Sequence, residues 1–199
     1  GSNHTAVGKD ALLVSTAAGY DTAIGDSVLK ANTTGNYNTG VGASALAANT
    51  TTSNHTAVGY AALSSNTTGV NNTAVGKDSM RATTTGTRNV AVGNASLEIN
   101  TTGDDNVALG DFALYNNTSA NNNVAVGKDA MLSNTTGASN VAVGYVALDA
   151  NTTGNNNVAI GASALGVNTT AHDNTAVGKG SLEANTTGSE NTAMGAQAL

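Results

Sequence analysis

The sequence contains no cysteine, no proline and no tryptophan, and its 199 residues include only one phenylalanine and five tyrosines. Without cysteine, neither a disulfide nor a thiolate metal site holds the fold, and the chain is compatible with any redox compartment. With so few aromatics, large apolar side chains are too thinly supplied for a conventional globular core. Charged residues are only 10% and the net charge is -6, so the basic stripe of a nucleic-acid binder is missing and no nucleic-acid partner is expected. No apolar run approaches the roughly 20 residues needed to cross a bilayer, so no membrane insertion is expected of this piece, and no stretch reads as a secretory signal. Gly1-Ser2 reads as a cloning remnant and Leu199 falls in mid-repeat. The expectation is a single domain over 3–199 cut from a longer fibre, with any signal or anchor outside it.

What the chain does have is Gly, Ala, Asn and Thr in strict period. Glycine stands at Gly8, Gly25, Gly42, Gly59, Gly76, Gly93, Gly110, Gly127, Gly144, Gly161, Gly178 and Gly195, always 17 residues apart. Four residues after each glycine comes Leu or Met, from Leu12 and Leu29 through Met80 and Met131 to Leu199. Stacked coils share one cross-section, and an inserted residue breaks the stack unless it bulges out, so a register without insertions predicts a solenoid. Helix is the losing alternative, because no apolar stripe at helical period persists and glycine recurs in every unit.

Before each glycine lies an aliphatic residue (Val7, Ile24, Val143, Met194), and two places further back Thr or Val (Thr5, Thr22, Val141, Thr192). Alternate residues of a strand share a face, so this β-branched pair is expected to line the inner side of a short strand. Between them stands Ala, or Gly40 in one coil. On that assignment the alanines face outward, and their uniform smallness predicts close approach of a second copy, making Ala91, Ala108, Ala125, Ala142 and Ala159 candidates for trimer packing. Asn-Thr-Thr-Gly and the two residues after it read as the corner, since Gly and Asn accept the positive φ of tight turns. Twelve coils make a rod roughly 55 Å long. So small a cross-section buries little surface, and oligomerisation is the expected remedy, threefold for a fibre.

The units Asn89–Gly93, Asn123–Gly127, Asn157–Gly161, Asn72–Gly76 and Asn174–Gly178, each followed by Ala-Leu or a similar pair, resemble the head repeats of YadA-type trimeric autotransporter adhesins. The longer form with Asn151–Gly154 or Asn185–Gly188, and with Val143–Leu148 or Val58–Leu63, resembles repeats of phage tail fibres and of bacterial surface proteins that end in a self-cleaving chaperone domain. The likeness covers residues 3–199. It implies three parallel chains, each a left-handed β-roll; the residue pattern alone accepts either hand.

Candidate chemistry is sparse. His4 and His55 share a repeat position but stand three coils apart, roughly 14 Å along the stack, so one chain cannot bring them to one metal; each reads as a His in place of the usual Asn at a polar corner. Asp10, Asp78 and Asp129 follow a lysine, and Asp104 and Asp105 share a corner, but paired catalytic acids need a cleft between them. The calcium-binding nonapeptide, the nucleophile elbow and the phosphate-cradling loop are absent. Catalysis, cofactors and metals are therefore not expected.

The threonine column is the sharpest feature: Thr16, Thr33, Thr50, Thr67, Thr84, Thr101, Thr118, Thr135, Thr152, Thr169 and Thr186 occupy one position coil after coil. Thr arrays on flat solenoids hold ordered water, so ice binding is the competing reading. Against it, adjacent Thr-Thr at a corner suits turns, where the hydroxyls and the preceding Asn satisfy backbone groups. The same triplets match the N-glycosylation pattern. Tyr20 and Tyr37 on adjacent coils, with Tyr60, Tyr145, Phe112 and Tyr115, are the exposed aromatics. The sequence thus predicts an all-β, parallel β-solenoid of twelve 17-residue repeats, assembled as a homotrimeric rod. Its expected role is an extracellular structural or adhesive segment on a bacterial cell surface or virion tail fibre, binding a cell-surface glycan or protein receptor.

Overall fold

A computed structural model describes residues 3–199; Gly1 and Ser2, read as a cloning remnant, lie outside the described residues. Twelve three-residue strands recur at the repeat spacing: β1 (Thr5–Val7), β2 (Thr22–Ile24), β3 (Thr39–Val41), β4 (Thr56–Val58), β5 (Thr73–Val75), β6 (Val90–Val92), β7 (Val107–Leu109), β8 (Val124–Val126), β9 (Val141–Val143), β10 (Val158–Ile160), β11 (Thr175–Val177) and β12 (Thr192–Met194). They form one parallel sheet in chain order, each residue paired with the residue 17 later, as in Val141↔Val158 and Ala142↔Ala159. The expected parallel β-solenoid is therefore present, and among the described residues no helix is long and apolar enough to cross a membrane.

Hydrogen bonding between coils is not confined to the strands. Gly144 N–H reaches the Val126 carbonyl at 2.8 Å, Leu148 N–H the Ala164 carbonyl at 2.9 Å, and Thr152 N–H the Thr169 carbonyl at 2.8 Å. Each side of the coil is thus tied to its neighbour, so a missing or extra residue would break several bonds at once.

The strand faces are the reverse of the sequence expectation. Ala91, Ala108, Ala125, Ala142 and Ala159 are 0% exposed and lie in the chain's own core, packed with the Leu and Met column. The residues on either side of each alanine, such as Val90 and Val92, point outward. The physical reason is the narrowness of a 17-residue coil. Its interior is filled by Leu148 and its counterparts, which leaves room opposite only for a methyl group. The one exception supports this reading: a Cβ on Gly40 would come within 2.5 Å of Val28 Cγ1, and Val28 occupies a position held elsewhere by Ala or Ser, as at Ala45 and Ser79.

Two columns of buried asparagine flank this core. In one, Asn134 Nδ2 donates to Asn117 Oδ1 at 3.1 Å and to the Gly137 carbonyl at 2.9 Å. In the other, Asn140 N–H donates to Asn123 Oδ1 at 2.9 Å, and Asn140 Nδ2 to the Gly154 carbonyl at 2.8 Å. These carboxamides are fully buried, so each needs its partners, and they come chiefly from the next coil and from the corner.

The corner falls where the sequence puts it, and one positive φ falls within it, at Asn156 (φ 56), the second residue after Asn-Thr-Thr-Gly, but not at the glycine of that motif; the others lie outside the corner, at Val146 (φ 48) and Leu148 (φ 53), with counterparts along the rod. A leucine in the left-handed region costs roughly 1–2 kcal/mol; full burial of its side chain, worth about 2–3 kcal/mol, offsets that. The invariant glycine does need its freedom. Gly144 has φ +140, and a Cβ there would sit 2.6 Å from the Gly161 carbonyl carbon.

The Gly40–Val28 pairing yields a double-mutant test. Gly40→Ala alone should destabilise the rod by about 1–3 kcal/mol through overpacking, and adding Val28→Ala should recover most of that loss. Thermal or urea unfolding of the two single variants and the double variant measures the coupling.

Candidate functional site

Eight of the eleven threonine hydroxyls of the column are committed to the stack. Thr33 Oγ1 donates to the Thr50 carbonyl at 3.0 Å, Thr101 to Thr118 at 3.0 Å, Thr135 to Thr152 at 3.0 Å and Thr152 to Thr169 at 3.0 Å. The same bond recurs from Thr16, Thr67, Thr84 and Thr118. A hydroxyl whose proton serves a neighbouring carbonyl has only its lone pairs left for water, so this column works first as turn chemistry. The asparagine before it, at Asn32, Asn49, Asn66, Asn100, Asn117, Asn134, Asn151 and Asn168, is the buried ladder residue. Except at Asn185, which is only half-buried, the N-glycosylation pattern therefore falls on carboxamides with no access to solvent in the folded chain.

His4 and His55 stand in the second asparagine column, not at a solvated corner. His4 Nδ1 lies 3.8 Å from Asp21 Oδ2. The Asp21 carboxyl, pushed above its usual range by burial, accepts from Asn32 Nδ2 and from the backbone N–H of Asn38. His55 is buried. Its Nδ1 accepts the backbone N–H of Asn72 at 3.3 Å, which places the remaining proton on Nε2, 3.1 Å from Thr52 Oγ1. Burial pushes His55 down to about 4, since an imidazolium here would be desolvated with no anion beside it.

The charged groups pair along the surface. Arg88 grips Asp105 with two bonds, 2.6 and 2.8 Å, and holds that carboxyl below its usual range. Arg81 pairs with Glu98, Lys77 with Asp78 and Lys128 with Asp129. Glu98 is itself buried; the pairs that lie in solvent, such as Arg88 with Asp105, contribute little. Among the described residues no three His, Asp or Glu side chains gather as metal ligands. A hollow of about 260 Å³ bounded by Leu182, Ala184, Asn185, Asn191 and Leu199 is the uncovered cross-section of the last coil, not a cleft in its side.

Of the aromatics, Tyr20 and Tyr37 stack with centroids 5.2 Å apart and planes 7° from parallel. Each ring thus covers one face of the other, leaving edges and two outer faces. Phe112 and Tyr115 meet edge to face, and Lys128 lies 5.7 Å from the Tyr145 ring.

The feature that sequence reasoning placed on the wrong side is the outer face of the sheet. Two columns, Thr or Val followed by Val, Ile, Leu or Met, run the length of the twelve strands without one charge. Val7 (58%), Ile24 (40%), Val92 (39%), Ile160 (40%) and Met194 (73%) are exposed on it. In β6 to β10 both columns are aliphatic. At about 10 Å wide and 53 Å long the strip covers on the order of 500 Å², near the upper end of what a monomer exposes. The signal was present in the same alternation, read with the other parity. Compared with protein-family models, with curated proteins and with solved structures, the chain matches none.

His55 gives a pH prediction. Its folded value, about 4, lies below the unfolded value of about 6.5, so the unfolded chain binds the proton first and stability falls as pH drops through that window. The loss should total roughly 3 kcal/mol and level off below pH 4. The raised Asp21 carboxyl runs the other way, its penalty growing as pH rises from its unfolded value. The difference between native chain and His55→Asn, from urea unfolding at pH 7, 5.5 and 4, isolates the histidine.

Proposed function

We propose that the chain is a structural and adhesive segment of an extracellular fibre, a homotrimeric rod on a bacterial cell surface or virion tail. The observation that carries this reading is the uncharged strip along the whole outer sheet face, aliphatic in both columns from β6 to β10. A surface that covers it must match its length and its axial period of one coil, and a second copy of the same chain does both. With its rims, the strip approaches the roughly 800 Å² per partner typical of stable interfaces. Three copies turned inward around one axis leave no strip exposed. Threefold order and a left-handed coil follow from the likeness to the adhesin head repeats.

The hollow described above lies at the end of the rod and not along its side, which fits a spacer or a repetitive adhesive surface. A glycan or protein receptor on a host cell would be held by avidity across three chains and many coils. Ice or ordered-surface binding through the Thr column is the second reading, which the hydroxyl bonds to neighbouring carbonyls disfavour.

Static light scattering on the native chain should give the mass of three copies. Val124→Glu combined with Val141→Glu should give a single-chain mass with the β-sheet circular dichroism retained. Ala142→Glu, which buries an unpaired charge in the core, should instead abolish the fold. A native sample that stays a single chain at micromolar concentration would contradict the proposal, and thermal hysteresis in that sample would move the reading to ice binding.

A further inference from the structure

Ahead of Asn32 the first asparagine ladder opens on Ser15, and from Asn32 onward it has one fault. Its column runs Asn32, Asn49, Asn66, then Thr83, then Asn100 onward. In an intact rung the carboxamide nitrogen has two duties, shown by Asn134: it donates to the Oδ1 of the previous rung and to the carbonyl three residues on. At the faulty rung those acceptors are Asn66 Oδ1 and the Gly86 carbonyl. Threonine has no such nitrogen, and its hydroxyl stands one bond closer to the backbone than a carboxamide nitrogen does.

The consequence is visible at two atoms. Asn66 Oδ1 and Thr83 Oγ1 are both buried and make no hydrogen bond, and both residues are 0% exposed. Reversing the Asn66 carboxamide does not repair the fault. Its nitrogen already faces Asn49 Oδ1 at 3.3 Å, the Gly69 carbonyl at 3.1 Å and Thr52 Oγ1 at 3.0 Å, so an oxygen there would meet these three oxygens with His55 Nε2, at 3.2 Å, as its one nitrogen neighbour. Two orphaned polar atoms on adjacent rungs are costly, at about 1–3 kcal/mol each.

We propose that this rung is a binding site for a single structural water, held between Asn66 Oδ1, the Gly86 carbonyl and the Thr83 hydroxyl. The water donates one proton to Asn66 Oδ1 and one to the Gly86 carbonyl, and accepts the Thr83 hydroxyl proton. Three polar partners are the usual complement of a buried water. Gly86 remains bonded from its other side by Asn72 Nδ2 at 2.8 Å, so its carbonyl is already oriented. The site takes water and not a cation, because no carboxylate is among the partners, and not an anion, because the ladder offers it acceptors.

Water-to-amide magnetisation transfer on the native, isotope-labelled chain is the direct test. A long-lived water should give cross-peaks to the backbone amides of Gly69 and Gly86, and Thr83→Asn, which restores the nitrogen, should remove them. Thr83→Asn should also slow exchange of those amides about tenfold, one hydrogen bond having become internal to the chain. Thr83→Val separates a bridged hydroxyl from a bare one: loss of a bridge speeds exchange, whereas removal of a bare buried hydroxyl slows it. No cross-peak in the native chain, cross-peaks that survive Thr83→Asn, or slower exchange in Thr83→Val would each overturn the proposal.

Discussion

The rod depends on the carboxamides of its buried asparagines finding partners in neighbouring coils. A buried amide without partners costs more than a typical hydrogen bond contributes, so a coil with inward asparagine is poorly stable alone and well satisfied in a stack. Asn123 illustrates the arrangement: its oxygen accepts both the backbone and the side-chain N–H of Asn140, and its nitrogen reaches the Gly137 carbonyl. Those bonds fix the axial register, and the apolar core adds to them without setting it. A one-residue insertion would displace every carboxamide beyond it from its acceptors, which accounts physically for the unbroken spacing of 17.

The period, the strand position, the Leu and Met column and the corner were legible in the sequence because each depends on local spacing. Which side of the strand faces in was not, because a parity of two has two solutions and hydrophobicity alone chooses valine inside. The ladder reverses that choice. Once Asn140 points inward, Ala142 must follow it and Val141 and Val143 must face out. The smallness of the alanines was a true signal of crowding, but the crowding comes from Leu148 and its counterparts in the same chain. The left-handed φ at Leu148 had no signal, since leucine does not announce that conformation as glycine does.

An inward polar ladder also explains why so poor a composition suffices. The chain has few large apolar residues, and it spends one of them per coil on the outside, two in β6 to β10. Tertiary stability then comes from satisfied amides and closely packed alanines, and the outward valines remain available for other copies. Division of labour of this kind suits a fibre. The inward set repeats almost without change, while Tyr60, Lys77, Asn94 and Asp111 at one exposed rim position differ from coil to coil.

The most direct test of this account is the solvent exchange of the asparagine side-chain amides, resolved by nuclear magnetic resonance. Buried ladder bonds predict that the Nδ2 protons of Asn123, Asn140 and Asn157 exchange as slowly as the backbone amides of β8 to β10. Side-chain amides exchanging at the rate of a free carboxamide, while the strand amides stay protected, would show that the asparagines face water and would contradict the assignment of the two strand faces.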